Sequence, residues 1–180
     1  RRGFVTSCVL ATFAQEGLAM LGEGFPTAAI GNAAFLSGFP VCHLAFTDEV
    51  SITLMEKIRN QTIKDMQEAG ETYVLHPSDP VADRMLEANR PGKLAGAGFY
   101  EYPAHGKTHL WPGLKEIFGG DAKFELQDLK DSMLYIMAVE TVRCMEENVL
   151  FRVRDARIGS SVGIGTPRRT GGGGAFLEQI

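Results

Sequence analysis

Between Thr6 and Gly24 the chain reads TSCVLATFAQEGLAMLGEG, and Leu10, Phe13, Ala14, Gly17, Leu18 and Leu21 recur at the three- and four-residue spacing of one helical face. Thr6 or Ser7 is placed to cap the start of this helix. Gly24 follows the last periodic residue, where a left-handed C-terminal cap is expected, and Pro26 prevents continuation. Gly17, inside the apolar stripe, leaves room for a close neighbour.

The same pattern returns between Leu134 and Leu150, LYIMAVETVRCMEENVL. Glu16 answers to Glu140, Leu21 to Met145, Glu23 to Glu147 and Gly24 to Asn148, all at one spacing. Asparagine is the other residue that tolerates the left-handed cap, so the echo is in backbone chemistry as well as in letters. It continues downstream. Ala28 to Phe35 followed by Gly38-Phe39-Pro40 answers to Val153 to Ile158 followed by Gly165-Thr166-Pro167, with a short insertion between. A repeat this long predicts duplication of a whole small unit, because a solenoid would need at least three short repeats.

Between the two copies, Thr47 or Asp48 is expected to cap a long helix running to about Ala69, with Val50, Leu54, Ile58 and Ile63 to Met66 on its core face and Gly70 at its end. Ser78 or Asp79 would cap a short helix from Pro80 to about Asn89, stopped by Arg90-Pro91-Gly92. Lys93 to Pro103, with Gly96 and Gly98 ahead of an aromatic alternation, predicts an extended segment lacing across the helices. Trp111 is expected to anchor the following loop, and Gly119-Gly120 to separate a short helix from a long one beginning near Glu125. The resulting division is 1–103 for the first unit, 104–122 for a linker and 123–180 for a second, divergent unit. Gly171 to Gly174 is flexible by composition.

Composition narrows the function. The 180 residues are 44% hydrophobic and 22% charged, as in ordinary globular chains. No apolar run suggests a membrane span, and no secretory signal is visible. A formal net charge of −4 argues against a nucleic-acid binder, which needs a basic face. Cys8, Cys42 and Cys144 are odd in number and unevenly spaced, which fits free thiols in a reducing compartment. The chain opens directly in ordered-looking sequence at Arg1, as a piece of a longer protein would.

Candidate chemistry is sparse. Gly96-Ala97-Gly98 and Gly159 to Gly165 have neither a preceding strand nor a Lys-Ser/Thr ending, so neither has the setting of a dinucleotide or P-loop phosphate site. His105 and His109 would share a helical face, but Pro103 and Gly106 disfavour a helix there. His43 and His76 have no partners at metal-ligand spacing, and no metal site is expected. Glu16 and Glu140, equivalent in the two copies, are expected to tie helices together rather than to act as bases.

Several of these residues carry a resemblance. Gly3-Phe4-Val5-Thr6-Ser7 opening a helix, Glu16 to Gly24 followed by Gly38-Phe39-Pro40, Gly96-Ala97-Gly98-Phe99-Tyr100-Glu101-Tyr102, and the second Leu134, Glu140, Glu147 unit together resemble the C-terminal region of 3-hydroxyacyl-CoA dehydrogenases, doubled as in multifunctional fatty-acid oxidation enzymes. The resemblance implies an all-α fold of two related helical units from an internal duplication, of the 6-phosphogluconate-dehydrogenase C-terminal-like kind. It implies a preceding Rossmann domain that binds NAD and carries the catalytic residues, so that this chain alone has no catalytic residue, binds no cofactor and is inactive. The region would close over an acyl-CoA substrate and make assembly contacts, a homodimer included, in the β-oxidation of fatty acids in the cytoplasm. Ser7 stands where the family usually has an asparagine facing substrate, and is the one expected substrate contact; a hydroxyl has a shorter reach than the amide. Cys42-His43 and Arg168-Arg169 also depart from the family pattern, and the arginines are expected at a solvated surface. The competing reading is a non-catalytic helical interaction module.

Overall fold

The structure is a computed structural model and describes residues 5–149, 165–167 and 170. Among these residues it is all-α, with helices α1 (Val5–Gly22), α2 (Thr27–Ser37), α3 (His43–Val50), α4 (Ile52–Glu68), α5 (Asp79–Glu87), α6 (Leu114–Phe118) and α7 (Leu126–Glu146). Two short antiparallel strands, β1 (Tyr100–Glu101) and β2 (His109–Leu110), pair Tyr100 with Leu110 and Glu101 with His109. Gly3-Phe4, Val153 to Ile158, Gly159 to Ile164, Arg168-Arg169 and Gly171 to Gly174 lie outside the described residues.

The expected helix ends are present, and their cause is visible. Gly24 has φ +83°, its N–H donates to Leu21 O at 3.0 Å, and Phe25 N–H donates to Met20 O at 3.2 Å. Asn148 has φ +58°, with Asn148 N–H on Met145 O at 3.1 Å and Val149 N–H on Cys144 O at 2.9 Å. Both helices therefore end in the same Schellman motif, which satisfies carbonyls that the helix leaves over. Gly38, Gly70 and Asn89 close α2, α4 and α5 in the same way.

The N-terminal ends differ from expectation. Thr6 and Ser7 lie inside the first turn of α1 and are not its caps. The long helix expected from Thr47 or Asp48 is two helices: α3 begins at His43 and α4 at Ile52, with Ser51 between them at φ +77°. The break comes from a distant turn. Ile52 N–H donates to Pro91 O at 2.8 Å and Ser51 Oγ to the same oxygen at 3.2 Å, so the chain is drawn off the helical path where Pro91 arrives. Thr47 and Asp48 are buried in α3 instead of capping anything. On α4 the expected core face is largely outside: Leu54 and Ile58 are exposed, and Ile52 is the helix's buried residue. At α5, Ser78 spends its hydroxyl on His76 Nδ1 at 2.8 Å rather than on a cap.

The described chain divides into two compact units that do not follow chain order. Unit 1 holds 1–17, 28–43 and 123–180, and unit 2 holds 18–27 and 44–122. Residues 104–122, expected as a linker, thus belong to unit 2, where Trp111 N–H donates to Phe99 O and Ala122 N–H to Gly24 O. In unit 1, Phe13 and Phe39 pack at 5.0 Å between ring centroids, and Phe13 stacks on His43 at 3.8 Å. Gly17 makes that possible, because a methyl group there would lie 2.1 Å from His43 Cβ. Helix α1 is long and apolar enough to cross a membrane by length and composition, contrary to the sequence expectation, but half of that window is packed inside the protein.

Candidate functional site

The most specific sequence element, Gly96 to Tyr102, is built around one aspartate in unit 2. Asp48 projects from the last turn of α3 and is 1% exposed. Its Oδ1 accepts from Phe99 N–H at 2.8 Å, and its Oδ2 accepts from Tyr100 N–H and from Tyr102 O–H, each at 2.9 Å. Two glycines admit this approach. A methyl group on Gly98 would lie 2.0 Å from Asp48 Oδ1, and one on Gly92, at φ +135°, would lie 2.7 Å from Asp48 O.

The strap is then locked from its other side. Arg90 Nε donates to Gly98 O at 2.7 Å and Nη2 to Tyr100 O at 3.3 Å, and Nη2 pairs with Glu101 Oε1 at 3.0 Å. The guanidinium lies 4.2 Å over the Trp111 ring, a cation–π contact that holds the expected anchor in place. Burial pushes the Asp48 carboxyl above its ordinary value, against the hydrogen bonds and Arg90, which pull it down. The Tyr102 hydroxyl is pushed up by burial and by the Asp48 charge. With three acceptor contacts made and almost no surface open to solvent, Asp48 is a clasp and not an acid or base for an external substrate.

A second polar group fixes the segment before α5. Asp79 Oδ2 accepts from Tyr73 O–H and from His76 N–H, each at 2.9 Å. Arg59 Nη2 donates to Asp83 Oδ1 at 2.5 Å, joining α4 to α5. Burial, then the Asp79 hydrogen bond, pushes the Tyr73 hydroxyl up to about 12.

Ser7 lies in the first turn of α1 and is exposed. His105 is in a loop and His109 in β2, so the two are not presented by a helix. Glu16 accepts a hydrogen bond from Ser132 Oγ, a tie between α1 and α7 within unit 1. Glu140 is 2% exposed, with Cys144 Sγ 3.9 Å from its Oε1. The structure adds a grouping that sequence spacing did not reveal, because one member is far away in the chain: the ligand atoms of Cys8, Glu140 and Cys144 lie within 4.8 Å of one another. The Asp48 clasp was also missed, since Asp48 reads as an N-cap. Its signal was the Gly-x-Gly ahead of the aromatics, which calls for close approach of some group.

The fold and the strap define an all-α domain whose most distinctive feature is a glycine-rich segment clasped onto a buried aspartate. Residues 3–102 match the family described as 3-hydroxyacyl-CoA dehydrogenase, C-terminal domain, and the chain belongs to that family. In three dimensions it is similar to the dehydrogenase part of multifunctional enzyme 1 from C. elegans, with a TM-score of 0.66 over 82% of this chain and 21% sequence identity, a likeness of fold. This chain covers 33% of that one.

Proposed function

We propose that this chain is the substrate-closing and assembly region of an NAD-dependent dehydrogenase that oxidises 3-hydroxyacyl-CoA to 3-ketoacyl-CoA in cytoplasmic fatty-acid β-oxidation. The observation that carries the reading is the family match across 3–102, which includes both the start of α1 and the clasped strap. The hydride acceptor and catalytic residues belong to a preceding Rossmann domain, and the chain by itself is inactive and binds no NAD. Ser7, exposed at the start of α1, contacts the acyl-CoA with its hydroxyl. Exposed Phe35 and Leu36 on α2 support an assembly surface, for the Rossmann domain or for a second copy of the chain.

We further read α7 as the opening of a duplicated unit that stands in for a dimer partner. Support comes from reciprocal contacts inside unit 1. A methyl group on Gly38 would lie 3.4 Å from Pro167 Cβ, and one on Gly165 would lie 3.1 Å from Pro40 Cγ, so each Gly-x-Pro turn packs against the other, as the reading requires. Glu16 accepts from Ser132 while a Glu140 carboxylate oxygen lies within 4.8 Å of Cys8 Sγ, and the spacing that relates Glu16 to Glu140 also relates Cys8 to Ser132. Such two-way correspondence is the mark of an isologous interface.

The test is deletion of this region from the parent enzyme. NADH formation from 3-hydroxyacyl-CoA should be lost while NAD binding by the remaining Rossmann domain persists. Turnover that survives deletion would favour a non-catalytic interaction module instead.

A further inference from the structure

Neither the Asp48 clasp nor the proposed substrate contact uses the Cys8, Glu140 and Cys144 side chains. All three belong to unit 1, and their two sulfurs and carboxylate oxygen lie within 4.8 Å of one another. Glu140 and Cys144 are four residues apart on α7, which presents them on one face, and both are buried. Cys8 enters from α1 and is half-buried as a residue. The separation of Cys144 Sγ from Glu140 Oε1, 3.9 Å, is close to the edge of about 3.6 Å that a tetrahedron requires when zinc–sulfur and zinc–oxygen bonds are about 2.3 and 2.1 Å. Arg143 Nη1, 3.7 Å from Glu140 Oε2, would offset the surplus charge of two thiolates and a carboxylate around a dication.

On the duplication proposed above, the place equivalent to Glu140 is Glu16, a purely structural version. There Glu16 takes one hydrogen bond from Ser132, and the counterpart of Cys144 is Met20. A carboxylate and a hydroxyl suffice to join the helices. The Glu140 copy has a thiol in place of each counterpart, and thiol pairs select soft cations over magnesium or calcium.

We propose that Cys8, Glu140 and Cys144 bind a thiophilic divalent cation of the zinc type, with three protein ligands and the fourth position left to water. On binding, two metal–sulfur bonds form and the two thiol protons pass to solvent, so no electron changes hands. The structural alternative is that Cys8 and Cys144 are merely packed thiols beside a helix tie.

Cobalt titration of the reduced full chain tests this, because tetrahedral thiolate-bound Co2+ has sulfur-to-metal charge-transfer and visible ligand-field bands. A single Co2+ should give both, and Zn2+ should abolish them. Cys8→Ser and Cys144→Ser should each weaken binding by more than the roughly 100-fold that losing a residue which only orients a ligand can cost, Glu140→Gln should weaken it less, and Cys42→Ser should leave it unchanged. Should the serine variants fail to fold, X-ray absorption of the zinc-loaded unmodified chain decides, with two sulfur neighbours at about 2.3 Å expected. Absence of sulfur charge transfer, a zinc shell of nitrogen and oxygen only, or isolation of a Cys8–Cys144 disulfide from the non-reduced protein would each overturn the proposal.

Discussion

Two buried ionisable side chains sit on one short helix and are handled in opposite ways. At the start of α3, His43 stacks on Phe13 and faces Phe39 edge-on in an apolar setting, and burial lowers its pKa to about 3. Near its end, Asp48 is ringed by two backbone N–H groups and a phenol, with Arg90 behind them. Desolvation disfavours the charge on both. The imidazole can answer by staying neutral, and packs as an aromatic. The carboxylate instead recruits donors, two from the backbone of Phe99 and Tyr100 and one from the Tyr102 phenol, all in the Gly96 to Tyr102 strap. A buried polar residue thus explains a sequence motif in one case and only a close approach, that of Gly17, in the other.

The sharpest way to break the contrast is Asp48→Ala, which leaves Phe99 N–H, Tyr100 N–H and Tyr102 O–H without their acceptor. A loss of about 4 kcal/mol in urea melts is expected, from several unsatisfied donors at once. A loss under about 1 kcal/mol would mean that the strap holds without its clasp. Gly98→Ala and Gly17→Ala come next, at about 3 kcal/mol each, because one methyl group displaces the carboxylate and the other meets the root of the His43 side chain. The Gly98 change should also expose the Tyr102 ring to quenchers, whereas the Gly17 change should not.

The two ionisations also separate by pH. Folded His43 titrates near 3 and its unfolded value is 6.5, so between them the folded protein binds fewer protons than the unfolded chain. Its contribution to stability is complete above about pH 6.5 and is lost as pH falls, with a limiting slope of about 1.4 kcal/mol per pH unit. Asp48 works the other way. Its folded value is raised above the ordinary 3.8, so acidification through that range relieves its cost. His43→Gln should remove the acid-side slope between pH 6.5 and 5; an unchanged slope would show that another group causes it. Smallest are the caps: Gly24→Ala should cost about 1 kcal/mol at its positive φ, and Asn148→Gly should be neutral or slightly stabilising.

These elements also mark what could be read from sequence. The C-terminal ends at Gly24, Gly70 and Asn148 were legible because left-handed conformation is a local demand on one residue. The space beside Gly17 was legible, though its occupant, His43, was not. The break at Ser51 was hidden because its cause is the Pro91 carbonyl, forty residues on. The Asp48 clasp was hidden for the same reason, and an aspartate after a threonine at the head of an apolar–polar pattern imitates a cap. Leu54 and Ile58 were assigned to a core because periodicity identifies an apolar face without saying what covers it. Glu16 was rightly read as a tie, through Ser132 on α7, while the thiols beside Glu140 needed two distant helices brought together.

The most direct test of the functional account is complementation in trans. The parent's Rossmann domain, prepared alone, should bind NAD but give little NADH from 3-hydroxyacyl-CoA, and added chain should restore turnover in proportion to complex formed. Ser7→Ala should then lower kcat/KM at saturating chain without weakening the complex, and Ser7→Asn should preserve or raise it. A chain that binds the Rossmann domain without any gain in turnover, or a Rossmann domain fully active by itself, would contradict the account.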